Sequence, residues 1–135
     1  MVCRVFLAFL VLGLVACGDD VIGPEDIAGT YTLQSIDGHT LPWVILQVGN
    51  TYSMKVMAGS ITIDQNMTCS RSITATLTDG GTVTTVTDTD VCTYTFVNGA
   101  ITFTWDSDGS TDSGSIVGSQ LTLTTGGDDV LILQK

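Results

Sequence analysis

The chain has 135 residues, 4 basic against 14 acidic side chains, and a formal net charge of −10. That balance argues against nucleic acid as a partner, because phosphate recognition needs clustered Lys and Arg. It also rules out adsorption to anionic lipid through a basic patch. The length suits one domain, and 15 glycines, only 2 prolines and frequent threonine favour strands and tight turns over helices.

Met1–Arg4 forms a short positive segment, and Val5–Val15 is a continuous apolar run. A bilayer-spanning helix needs about 20 residues, so this run is too short to span but suits the apolar core of a signal peptide. It ends in Leu14-Val15-Ala16-Cys17. That ending resembles the bacterial lipobox, which implies cleavage of residues 1–16, a signal-peptide helix, and acylation of Cys17. Several acyl chains on one residue make a stable membrane anchor where one would not. Gly18 follows the cysteine where enterobacterial lipoproteins kept at the inner membrane carry Asp, which points to the outer membrane. The expected location is the cell envelope, with the membrane reached through the lipid on Cys17. Cleavage would also remove Arg4, leaving three basic residues against the same acids. Residues 17–26 read as the acylated cysteine and an acidic tether, broken by Gly23-Pro24.

Residues 27–135 read as a run of short strands. Thr30–Ile36 is a first strand with Tyr31 and Leu33 on one face, and His39–Pro42 is a turn. Val44–Val48, Tyr52–Met57 and Ser60–Asp64 follow as strands, although the apolar Trp43–Val48 also fits a short helical piece. Gly80-Gly81 centres a hairpin. A two-residue turn there sets Cys69 opposite Cys92 and Arg71 opposite Asp90. Asn98-Gly99 centres the next hairpin, setting Phe96 against Ile101, Tyr94 against Phe103 and Cys92 against Trp105. Asp106–Asp112 turns the chain. Gly118-Ser119 then pairs Ile116 with Leu121 and Gly114 with Leu123, and a looser turn at Thr125–Asp128 leads to Leu131 and Leu133.

The four cysteines separate by position. Cys3 leaves with the signal peptide and Cys17 carries lipid, so Cys69 and Cys92 remain in a compartment where disulfides form. Their register predicts a bridge. Two thiols and one histidine without CxxC spacing do not make a zinc site.

Eight or nine short strands with one apolar face and one threonine-rich face must bury the first and protect their edges. Closure into a barrel does both, and a two-sheet sandwich is the alternative. The run Gly29-Thr30-Tyr31-Thr32-Leu33-Gln34-Ser35-Ile36-Asp37-Gly38-His39-Thr40-Leu41-Pro42 resembles the opening of bacterial lipocalin-like domains. Gly59–Ile63, Tyr94–Phe103 and Gly118–Leu123 resemble later pieces of the same family. The resemblance implies an all-β, small antiparallel up-and-down barrel of about eight strands that binds apolar ligands in the envelope. Tyr31 stands where lipocalins carry Trp, and the chain is shorter than a full lipocalin.

Tyr31, Leu33, Tyr94, Phe96, Phe103 and Trp105 are the candidates to line a ligand pocket. The aromatic members could equally fill the barrel, since eight strands enclose just enough space for side chains. Gly114 opposite Phe103 would fit such large-against-small packing. His39, the one histidine, sits in a turn and leaves a Ser or Cys nucleophile without a base, so no enzyme is expected. Asp106-Ser107-Asp108-Gly109-Ser110-Thr111-Asp112 has oxygen ligands at alternating positions but lacks the closing glutamate of a calcium loop. Neither metal nor cofactor is implied. Two readings remain: a membrane-anchored barrel that binds a small apolar ligand, or a filled barrel acting as a protein-interaction or enzyme-inhibitor module for an unnamed partner.

Overall fold

A computed structural model describes residues 22–135. The signal peptide expected over residues 1–16 and Cys17, the expected lipidation site, lie outside the described residues. The order of elements is α1 (Pro24–Ile27), β1 (Gly29–Ile36), β2 (His39–Thr40), β3 (Trp43–Val48), β4 (Tyr52–Ile63), β5 (Thr68–Asp79), β6 (Thr82–Val97), β7 (Ala100–Trp105), β8 (Thr111–Val117), β9 (Gln120–Thr124) and β10 (Val130–Gln134). Each strand from β4 to β10 pairs antiparallel with the next in sequence, β10 pairs with β1, and β1 pairs back onto β4. This closes an eight-stranded up-and-down barrel and leaves β2 and β3 at its seam.

The tight turns follow from glycine and its neighbours. Asn98-Gly99 and Gly80-Gly81 hold positive φ at both central positions, the conformation that matches the right-handed twist of the flanking strands. The registers expected from them are present: Cys69 opposite Cys92, Arg71 opposite Asp90, Tyr94 opposite Phe103 and Cys92 opposite Trp105. Ile116 faces Leu121 and Gly114 faces Leu123 across the Gly118-Ser119 turn. Cys69 and Cys92 form a disulfide across β5 and β6, with Cα atoms 4.9 Å apart.

Several boundaries differ from the sequence reading. The first hairpin turns at Asp37-Gly38, both at positive φ, and not at His39–Pro42. His39 and Thr40 are already strand residues, paired with Ile36 and Ser35. Asp-Gly between alternating apolar residues is itself a strong hairpin signal, and it outweighs the downstream proline. The two strands expected over 52–64 are one, β4, kept continuous by a bulge between Val56 and Ala58. Trp43–Val48 is a strand and not a helical piece, because β4 offers it a ladder of partners. Pro24–Asp26, inside the acidic segment, belong to a helical turn that seats Ile27 in the core.

The barrel has two unlike ends. The lower end carries α1, the start of β1, the end of β10 and the turns after β4, β6 and β8. It is plugged. Ile27 is buried, the Tyr31 hydroxyl donates to the Ile27 carbonyl at 2.8 Å, and the Tyr94 hydroxyl donates to the Asp64 carbonyl at 2.6 Å. Lys135 Nζ donates to the carbonyls of Asp26 and Ala28, which ties the C-terminus to α1. At the upper end, β3 and parts of β4, β5 and β6 run on past the barrel as a four-stranded extension. Beyond the Val91 carbonyl, which accepts from the Asp106 amide, β6 loses its neighbour towards its N-terminal end, so Thr82–Asp90 form a free edge.

Candidate functional site

Alternation decides what each strand sends inward. On β4 the inward residues near the seam are Gly59, Ile61 and Ile63; on β5 they are Cys69, Arg71 and Ile73. The lower half of the barrel is filled with side chains. Tyr31, Phe103 and Ile101 are almost completely buried there, with Tyr94 packed against Phe103 at a ring-centroid distance of 6.4 Å. Phe96 is half-buried and covers the same cluster.

The upper half keeps a cavity of about 80 Å³, partly open to solvent. Leu33, Ile61, Ile73, Leu123, Leu131 and Leu133 make its apolar wall. Gly59 also lines it, and a Cβ there would stand 3.0 Å from Leu33 Cδ2. Of the six side chains expected to line a pocket, Leu33 and Trp105 do so; Tyr31, Tyr94, Phe96 and Phe103 pack the lower core instead. A cavity lined by Leu, Ile and Phe of about 150 Å³ holds a benzene-sized guest, so the space here suits only a small group or the end of a longer one. A wider, more open hollow of about 380 Å³ lies against the hydroxyl residues Ser60, Thr62, Ser70 and Ser72 and against Arg71, Asp90 and Val91.

One side of the inner cavity is polar. Arg71 lays its guanidinium over the Trp105 ring, 4.2 Å from the centroid, and Nη2 stands 3.5 Å from Asp90 Oδ2. Arg71 and Asp90 pair as the register predicts, both on the inward face of the sheet, with 26% of the Arg71 side chain and 8% of the Asp90 side chain exposed. Asp112 is the one charged residue buried as a whole among the described residues. Its Oδ2 accepts from Trp105 Nε1 at 2.7 Å and its Oδ1 accepts from the Gly126 amide at 3.0 Å. The sequence reading places Asp112 in a polar turn; it is on β8, directly opposite Phe103. Phe103 therefore faces Asp112 and not Gly114, and Gly114 packs against the backbone of β9. Two-residue alternation back from Ile116 through Gly114 reaches Asp112 and would have found it.

His39, exposed on β2 directly opposite Ile36, stacks on Trp43 with ring centroids 3.6 Å apart. Asp108 sits in the loop above the cavity. Hydrogen bonds from Ser110 hold its carboxyl below the usual range. Among the described residues no group of three or more His, Cys, Asp or Glu converges as a set of metal ligands.

The apolar inner face continues upward onto the extension. Trp43, Val56, Ala75 and Val86 form one row across its four strands, and Leu46, Met54, Leu77 and Thr84 form the next. Leu46, Val48 and Val86 are exposed. Comparison with protein-family models, curated proteins and solved structures finds no match to this chain. The closed eight-stranded barrel agrees with a lipocalin-like fold in the general sense.

Proposed function

We propose that this chain is an exported, lipid-anchored envelope lipoprotein whose barrel binds a small apolar ligand at its upper end. The observation that carries the ligand reading is the cavity, apolar over most of its wall and partly open to solvent. The anchoring reading rests on the order of positive segment, apolar run, small residues and Cys17. The two parts fit one arrangement. The chain enters the barrel at its plugged lower end through α1, so a tether there leaves the open end remote from the anchor. The acidic surface keeps such a protein soluble beside the membrane. The outer membrane is the proposed location, since Gly18 occupies the position after the lipobox cysteine.

Native mass spectrometry of the protein released from its membrane tests the ligand. Added mass lost on denaturation is the expected result; a clean apo mass across preparations counts against carriage. Anchoring is tested by Cys17→Ser, which is expected to block processing and acylation. A Cys17→Ser protein still processed and held in membranes like the wild type would refute it.

A second reading is favoured by one feature, the free Thr82–Asp90 edge of β6. An extended segment of a partner protein could add there as a further strand, with its apolar residues against Val86. Proline at Thr87, within that edge, should then abolish partner capture without altering ligand mass.

A further inference from the structure

We infer that the free edge of β6 pairs with the same edge of a second copy of this chain, antiparallel and about a two-fold centred on Val86. This names the partner for the second reading above and rests on that reading's free edge. Thr82–Thr89 are all exposed, although they belong to a strand of 16 residues. The backbone groups of an antiparallel strand point alternately to its two sides. The Val91 carbonyl points away from β5, to the Asp106 amide, so the N–H and C=O groups of Val83, Thr85, Thr87 and Thr89 point the same way. Among the described residues no strand pairs with them. Edges this long are ordinarily blunted by a bulge, a proline or an inward-pointing charge. The opposite edge of the extension, β3, follows Pro42 and carries a bulge between Val44 and Leu46. The β6 edge pairs with β5 without any shift of register, and it consists of valine, threonine and the two acids Asp88 and Asp90.

Symmetry and charge choose the occupant. Positions 83, 85, 87 and 89 are disposed evenly about 86. A two-fold there sets Val83 of one copy against Thr89 of the other and Thr85 against Thr87, so every outward N–H and C=O from 83 to 89 gains a partner. The same register sets Val86 against Val86, Asp88 against Thr84 and Asp90 against Thr82. No acid of this edge then faces an acid, although each copy has a formal net charge of −10. On the outer face the threonine pairs extend the contact of Thr74 with Thr87, whose hydroxyls stand 3.1 Å apart. On the inner face the apolar row of Trp43, Val56, Ala75 and Val86 runs on into the same row of the second copy. Pairing of β6 with β3 of another copy would meet the β3 bulge and would not close. The two-fold reverses strand direction, so the lower ends of the two barrels point away from each other. Copies tethered through α1 therefore pair across facing surfaces and not side by side.

The test uses full chains in detergent, which are free to take up that orientation. Val86→Cys is oxidised with copper–phenanthroline and run on non-reducing electrophoresis, with the oxidised wild type as background. Opposed residues of a non-hydrogen-bonded pair stand about 4.5 Å apart at Cα, within disulfide reach. Cys69 and Cys92 are already bridged and buried. Val86→Cys alone should give a covalent dimer. Thr84→Cys and Asp88→Cys should each give none alone and a dimer when mixed. Thr87→Pro added to Val86→Cys should abolish the cross-link and leave the melt of the barrel unchanged, because the Thr87 N–H faces the free edge. Raised salt should increase the cross-link by screening two acidic copies from each other. Equal cross-linking from all three single cysteines would mark random collision and overturn the two-fold. No cross-link from Val86→Cys, with capture of a different protein that Thr87→Pro abolishes, would overturn the second copy as occupant and leave the edge reading standing. Neither cross-link nor such capture would overturn both.

Discussion

Gly114 stands on the inner face of β8, where a Cβ would overlap the carbonyl oxygen of Thr122. The obstacle is backbone, so no side-chain rotation relieves it. Gly114→Ala should cost roughly 3 kcal/mol, at the upper end of overpacking penalties. In a domain of this size that lowers Tm by about 10 °C, measurable by circular dichroism. Asp112 is the converse case, a polar group whose loss leaves partners stranded. Asp112→Ala orphans the Trp105 indole N–H and the Gly126 amide, at a cost of about 3 kcal/mol. Asp112→Asn retains one acceptor oxygen and should lose about half as much in the same melt. Tyr31 and Tyr94 add a pH dependence. Burial raises both above the ordinary 10.0, with Tyr94 adding to Tyr31 and Asp64 adding to Tyr94. The unfolded chain therefore loses these protons first as pH rises. Stability should be flat below about pH 9 and fall beyond pH 10. Substituting both by Phe should flatten the alkaline limb of a denaturation-against-pH series. The residue scale is also where the sequence was least legible. Alternation from Cys69 and Cys92 puts Arg71 and Asp90 on the inner face, but neither pairing nor alternation shows that Arg71 lies over the Trp105 ring.

Hairpins are legible because register is local. Once Gly80-Gly81 and Asn98-Gly99 fix two turns, the partners of β5, β6 and β7 follow by counting, including the contact of Cys69 with Cys92. The bridge closes a 23-residue separation between neighbouring strands. In the loop-entropy view its loss costs about 3 kcal/mol, so the double substitution of both cysteines by Ser should lower the denaturation midpoint by that equivalent. Reductant should lower the wild type to the same value and leave the variant unmoved. What counting does not reach is the pairing of β1 with β4, where Tyr31 meets Ile61 across 30 positions of chain. No turn connects them, and only closure of the barrel brings them together. The same holds for α1. Pro24 and the acidic residues around it read as a tether, because the value of Ile27 as a plug depends on a barrel end that is not visible locally.

Closure also explains why the candidate pocket was only partly legible. Whether Tyr31, Phe103 and Tyr94 line a space or fill it depends on which layer of the barrel each one occupies, and layers are set by strand tilt and shear. In this molecule the aromatic layer lies below and the aliphatic layer above, so the space falls among Leu33, Ile61, Ile73 and Leu131. Filling the 80 Å³ hollow separates a site from a packing defect. Leu131 is half-buried on the cavity wall, so Leu131→Trp can occupy the space from its rim while leaving the plugged lower end untouched. If the cavity is a ligand site, Leu131→Trp should hold or raise Tm by a few degrees and abolish the added mass in native mass spectrometry. A variant that keeps its Tm and still carries the wild-type added mass would move the site out of the barrel, onto the exposed apolar rows of Val86 and Leu46. The melt and the mass must be read together, because a destabilised variant would lose its ligand for the wrong reason.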